Sequence, residues 1–143
     1  MYSMFSDVIA AVSTPRGKGG VAVIRMSGEE AFSVGEKFIF PKNGKKLSDI
    51  AANSVFLADI KTQDGALLDE ALVTLFRAPR SYTGENVVEI SCHGGILLTE
   101  NILSLATLSI PVSTAFSKYI LSFNVLERKF LMKAIVSSYI PEK

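Results

Sequence analysis

The stretch Asn86-Val-Val-Glu-Ile-Ser-Cys-His-Gly-Gly95-Ile-Leu-Leu-Thr-Glu-Asn-Ile-Leu-Ser-Leu-Ala106 changes its period midway, and that change decides the fold class. Residues 86–91 read as a strand. From Ile96 to Ala106, Leu98, Ile102 and Leu105 recur at helical spacing, which predicts a helix with one buried face. Cys92-His93-Gly94-Gly95 is the junction between them.

Upstream of that unit, Arg77-Ala-Pro-Arg-Ser-Tyr-Thr-Gly-Glu85 is rich in Pro, Gly and hydroxyl groups and reads as a loop. Val55 to Lys61 and Leu68 to Phe76 flank the turn signal Asp64-Gly65 and form the best hairpin candidate. Pro41 to Lys46 is a polar loop. Asp7 to Ser13 is β-compatible, and Thr14-Pro-Arg-Gly-Lys-Gly-Gly20 leads from it into the apolar strand Val21 to Met26. Ser27-Gly28-Glu29-Glu30 has the Ser-x-x-Glu spacing of a capping box and predicts a helix through about Phe38. Strands and helices therefore interleave, and the expected class is α+β (mixed α/β), a small mixed sheet with two packed helices. Past Pro111, a stripe of Phe116, Ile120, Phe123, Leu126, Phe130 and Ala134 predicts one long amphipathic helix. The organisation is thus a domain over 1–110 and a distinct helical segment over 111–143.

Composition agrees with a globular chain: 143 residues, 48% hydrophobic and 20% charged. The net charge of +1 gives no field for non-specific nucleic-acid binding. That balance is uneven. Residues 1–106 hold 10 Lys/Arg against 12 Asp/Glu, and 107–143 hold 5 against 2. A single cysteine excludes an internal disulfide and a thiolate zinc site. With no signal-peptide pattern and no apolar run of membrane length, the expected location is the cytoplasm, with no membrane partner.

The chemistry-bearing residues are few. The glycine loop lacks the Gly-x-x-x-x-Gly-Lys-Ser/Thr order of a phosphate-binding loop and runs into a strand; it reads as a tight strand connection that brings amides near a ligand or partner. His93 is the only histidine, at a strand-to-helix junction where the amides after Gly95 would favour an anionic or polar group. A Cys92–His93 nucleophile pair is poor, because neighbours on a strand point to opposite faces. No catalytic or metal-ligating set is assigned. Arg25 and Glu89 are ionisable residues inside apolar strands, where an unpaired charge would be costly. Either they pair with each other or with Lys61, Asp69 or Glu70 across the sheet, or they are held for a ligand. A carboxylate accepts two parallel N–H bonds from an aminopyrimidinone edge and an arginine forks onto a carbonyl, so a planar polar heterocycle suits the pair.

Three strings carry a resemblance. Ile9 to Gly28, Leu68-Asp69-Glu70, and Pro79-Arg-Ser-Tyr-Thr-Gly-Glu-Asn-Val-Val-Glu-Ile-Ser-Cys-His-Gly-Gly95 resemble the N-terminal domain of the tRNA-modification GTPases called TrmE or MnmE, over roughly residues 6–106. The resemblance implies a domain similar to the tetrahydrofolate-binding aminomethyltransferase fold. It also implies homodimerisation and a bound 5-formyltetrahydrofolate or 5,10-methylenetetrahydrofolate as one-carbon donor for a wobble uridine. The flavoprotein GidA (MnmG) and tRNA are the implied partners. Arg25 and Glu89 match the family's folate-contacting arginine and glutamate; Tyr82, Thr83, Gly84 and Glu85 close one side, and His93 completes the expected cofactor set.

The chain also departs from the family. The family's later lysine segment has no clear counterpart: Ala115-Phe116-Ser117-Lys118 resembles it a few residues early, no Asn-Gly-Lys follows, and Lys129 would need an insertion. The GTPase motifs are missing, so GTP with its Mg²⁺ and K⁺ is expected only of a full-length relative, and the chain reads as a fragment or a truncated relative. The alternative function is a non-catalytic dimerisation or partner-binding module with an incomplete folate site. A free-standing transferase would have only His93 and Glu85 as general acid or base.

Overall fold

The computed structural model describes residues 8–15 and 17–111. Period-2 alternation builds most of it. In β2 (Val21–Ser27), Ala22, Ile24 and Met26 are buried while Val21, Val23, Arg25 and Ser27 face the other way. In β6 (Val87–His93), Val88, Ile90 and Cys92 are buried and Glu89, Ser91 and His93 face outward. With β1 (Ile9–Val12), β3 (Ile39–Pro41), β4 (Ser54–Lys61) and β5 (Leu67–Phe76), these strands form one six-stranded sheet in the order β1-β2-β6-β5-β4-β3. The expected α+β class is the one observed. Within it all five pairings are antiparallel, a uniform direction in place of the mixed sheet anticipated.

The two helices, α1 (Ala31–Gly35) and α2 (Ile96–Ser109), pack on the same side. Between them and the sheet lie Ile24, Met26, Phe38, Leu47, Ile60, Val73, Leu75, Val88, Ile90 and Ile102, all without solvent contact. The fully buried Leu or Ile side chains each contribute about 1.5–3 kcal/mol by leaving water. The opposite face of the sheet carries no helix among the described residues, and it holds the candidate site.

Two local expectations change. The capping box does not form: β2 runs on through Ser27, which pairs with Val87, and the helix begins only at Ala31 with no side-chain cap bond at Glu30. The reason is competition, since the Ser27 hydroxyl is engaged by the 83–85 segment instead. The polar loop expected over Pro41 to Lys46 is also flanked by two elements not expected, the three-residue β3 (Ile39–Pro41) on the edge of the sheet and a one-turn 3-10 helix at Leu47–Asp49. Both are too short to show a period. The hairpin forms as expected, its turn closed by Thr62 N–H to Ala66 O (2.9 Å) and Gly65 N–H to Thr62 O (2.9 Å). The helix expected over Phe116 to Ala134 lies outside the described residues. No helix of the described residues is long and apolar enough to cross a membrane.

Candidate functional site

Arg25 and Glu89 are direct partners in the β2–β6 register, so both side chains rise from the open face at the same level. Arg25 Nε donates to Glu89 Oε1 at 2.8 Å and Nη2 to the same oxygen at 2.5 Å. They are 35% and 23% exposed. Of the two sequence readings, mutual pairing is thus what the structure contains, and it leaves capacity unused. Arg25 Nη1 and Glu89 Oε2 make no hydrogen bond among the described residues, although a carboxylate has acceptor sites on both oxygens.

The 77–86 segment closes one side of this pair. Arg77 Nη2 donates to Ser48 O (2.7 Å) and Ile50 O (2.8 Å) and its guanidinium lies 4.8 Å from the Phe32 ring centre, which anchors the start of the segment. Asn86 anchors the end: its Oδ1 accepts from Ala78 N–H and its Nδ2 donates to Glu29 O. Between the anchors, Tyr82 is 76% exposed, with its ring centre 5.8 Å from the Arg25 guanidinium carbon, within cation–π range. Thr83 Oγ1 lies 2.7 Å from Ser27 Oγ, which donates to Glu85 Oε2 at 2.9 Å. Gly84 turns the tip with φ +78°, a conformation that glycine adopts at no steric cost. Sequence reasoning named Tyr82 to Glu85 but missed Ser27, whose hydroxyl it spent on a helix cap, Arg77, which it read only as a loop residue, and Asn86, which it read only as the start of a strand.

His93 stands apart. It lies at the far end of β6, four residues from Glu89 on the same face. Its Nδ1 is 2.7 Å from Asp69 Oδ1 and its backbone N–H donates to Asp69 Oδ2 at 3.0 Å. The imidazole is 75% exposed and Asp69 only 8%. Asp69, one of the possible partners for Arg25, therefore belongs to His93.

The neighbouring Cys92 points into the core, where burial first and then the Asp69 charge push its thiol above the ordinary range. No Cys–His pair exists. After His93, Gly94 N–H donates to Gly20 O (3.2 Å), so a carbonyl of the glycine loop is spent on this junction.

Nearer the β3 edge, Lys42 Nζ bridges Asp59 Oδ1 (2.5 Å) and Glu70 Oε2 (2.8 Å), and Lys61 Nζ is 3.6 Å from Asp59 Oδ2. The Lys42 hydrogen bond holds the Asp59 carboxyl below the usual carboxylate range, and Asp59 in turn raises Lys42. A cavity of about 330 Å³ at that edge, lined by Glu36, Ile39, Phe40, Pro41, Gly44, Lys45 and Lys46, includes none of the expected site residues. Among the described residues no three His, Cys, Asp or Glu side chains are grouped to hold a metal ion.

Comparison with known proteins bears on these strings directly. The family described as "GTP-binding protein TrmE N-terminus" matches residues 8–116. The tRNA modification GTPase MnmE of Carboxydothermus hydrogenoformans is 45% identical over 103 residues, 71% of this chain and 22% of that protein. The protein of the same name from Aster yellows witches'-broom phytoplasma is 44% identical over 113 residues, 79% of this chain and 24% of that protein. That from Moorella thermoacetica is 45% identical over 103 residues, again 71% and 22%. The chain spans less than a quarter of the length of these curated relatives.

Proposed function

The chain belongs to the TrmE N-terminal family, and from that premise we propose that it is the folate-binding and dimerisation module of a tRNA wobble-uridine modification GTPase. The observation that carries the reading is the unused capacity of one charged pair: Glu89 Oε2 and Arg25 Nη1 stand on the open sheet face with no partner among the described residues, beside the exposed ring of Tyr82. These residues fit a reduced folate. Glu89 Oε2 accepts an N–H of an aminopyrimidinone edge, Arg25 Nη1 donates to a carbonyl, and Tyr82 offers a flat apolar wall. Bound there, 5-formyl- or 5,10-methylenetetrahydrofolate supplies the one-carbon unit. This chain's residues bind and orient it, while tRNA and the flavoprotein GidA (MnmG) are the partners proposed for the whole enzyme in the cytoplasm.

Calorimetry tests the reading. Wild-type chain should bind 5-formyltetrahydrofolate in the micromolar range, and Glu89→Ala should weaken that at least about tenfold, as expected for loss of a charged hydrogen-bonding anchor. The fold should survive, because a partly exposed ion pair contributes only about 0–1 kcal/mol to stability. No heat of binding by the wild type at high ligand concentration would overturn the proposal.

The alternative, a non-catalytic module for dimerisation or partner binding, is favoured by a second observation on the same face. Val21, Val55, Leu57 and Leu72 stand 61%, 61%, 41% and 50% exposed, with Leu57 and Leu72 paired across β4 and β5. Apolar surface of this kind is what a second copy would cover. A stable dimer in sedimentation with no folate response would select it.

A further inference from the structure

The loop that follows β3 is basic in a module that is otherwise slightly acidic. Residues 1–106 hold 10 Lys/Arg against 12 Asp/Glu, and three of the ten, Lys42, Lys45 and Lys46, fall within five positions. Lys42 is spent on Asp59 and Glu70. Lys45 and Lys46 pair with no carboxylate among the described residues, and both line the cavity of about 330 Å³ at the β3 edge.

Backbone and side-chain bonds hold that cavity in shape. Gly44 turns the loop with φ +72°, its N–H reaching Pro41 O at 3.0 Å, and Asn43 Oδ1 takes Lys45 N–H at 3.0 Å. Beyond the loop, Glu36 Oε1 accepts both the N–H and the hydroxyl of Ser48, at 3.0 and 2.9 Å, which ties this stretch back to the end of α1. Glu36 Oε2 makes no hydrogen bond among the described residues, so this lining residue keeps an acceptor. The strand adds a donor. Lys61 N–H bonds Phe38 O and Lys42 N–H bonds Leu57 O, a spacing that points the N–H and C=O of Ile39 off the edge of the sheet. Ile39 lines the cavity and is only 2% exposed, and a peptide group so enclosed ordinarily has a partner.

Two ammonium groups and a backbone N–H suit a phosphate, and a free carboxylate oxygen beside them suits ribose hydroxyls. Phe40 and Pro41 add apolar lining for a base. The volume lies at the small end of ligand pockets, which limits the occupant to about one nucleotide. We propose that the β3-edge cavity binds a ribonucleoside 5′-phosphate, free or as a unit of single-stranded RNA, with Lys45, Lys46 and the Ile39 N–H on the phosphate and Glu36 on the ribose. This site is three strands from Glu89 in the sheet order and does not rest on the folate reading.

Nitrogen-15 NMR of the full chain, titrated with uridine 5′-monophosphate, tests the proposal. Expected are saturable shifts of the Ile39, Gly44, Lys45 and Lys46 amides, with binding that weakens as salt is added. The double variant Lys45→Gln/Lys46→Gln should bind at least about tenfold more weakly, as should uridine without its phosphate on the wild type. The rest of the spectrum of the variant should be unchanged, since neither lysine holds an ion pair. Hexauridylate separates the two sources: tighter binding than the mononucleotide assigns the site to RNA, and equal binding assigns it to the free nucleotide. The proposal is overturned if these amides do not shift at millimolar nucleotide, if the double variant binds as the wild type does, or if inorganic phosphate binds as tightly as the nucleotide.

Discussion

Replacing Gly94 with alanine would put a Cβ 2.0 Å from the Gly19 carbonyl oxygen, 2.6 Å from its carbonyl carbon and 3.0 Å from Val21 N. All three atoms are backbone, so no rotamer change relieves the clash. Two strands must part where Val21 pairs with His93 and where Gly94 N–H reaches Gly20 O. Overpacking of a close contact costs about 1–3 kcal/mol, and an approach this near against rigid chain belongs at the upper end, about 2–3 kcal/mol. At about 4 °C per kcal/mol for a domain of this size, the melting temperature falls by about 8–12 °C. Gly95 is the control: its Cβ would meet only Leu98 Cβ at 3.8 Å, and its φ of −70° suits any residue. Gly95→Ala should stay within about 0.5 kcal/mol of the wild type. Urea unfolding followed by circular dichroism measures both. The reasoning is refuted if Gly94→Ala loses less than about 0.5 kcal/mol, or if the two substitutions cost the same.

Two further outcomes follow from the charged and buried groups. The Asp59 carboxyl is held low in the folded state by Lys42, so its contribution is present above the unfolded carboxylate value, about pH 4, and disappears as pH falls through the lower folded value. Lys42→Met should therefore be less stable than the wild type at pH 7, with the gap narrowing as the pH is taken below about 4 in urea titrations; a gap of constant size down into that acid range would contradict the assignment. Cys92 is 2% exposed and its thiol is raised by burial, so a thiol reagent should label the native chain at least about a hundredfold more slowly than the urea-unfolded chain. Equal labelling rates would place Cys92 outside the core.

Much of this architecture is written in local periods. The apolar β-compatible runs at residues 21–26 and 86–91, the Asp64-Gly65 turn and the helical spacing after Ile96 all specify elements whose geometry depends on near neighbours alone. The short β3 escaped because three residues carry no period, the helix expected through about Phe38 ends already at Gly35, and Ser27 was misplaced because a serine hydroxyl fits a helix cap and a tertiary hydrogen bond equally well until its surroundings are known.

The candidate site divides along the same line. Sequence alone singled out Arg25 and Glu89, because a charge inside an apolar strand needs an explanation wherever that strand goes. Only the tertiary structure decided that they explain each other across 64 residues of chain, that Asp69 belongs to His93, and that a side chain at Gly94 would strike backbone where one at Gly95 would not. The physical reason is that element type follows from a repeat of 2 or 3.6 residues, whereas these contacts follow from β6 entering between β2 and β5, a choice set by the burial of the whole sheet face.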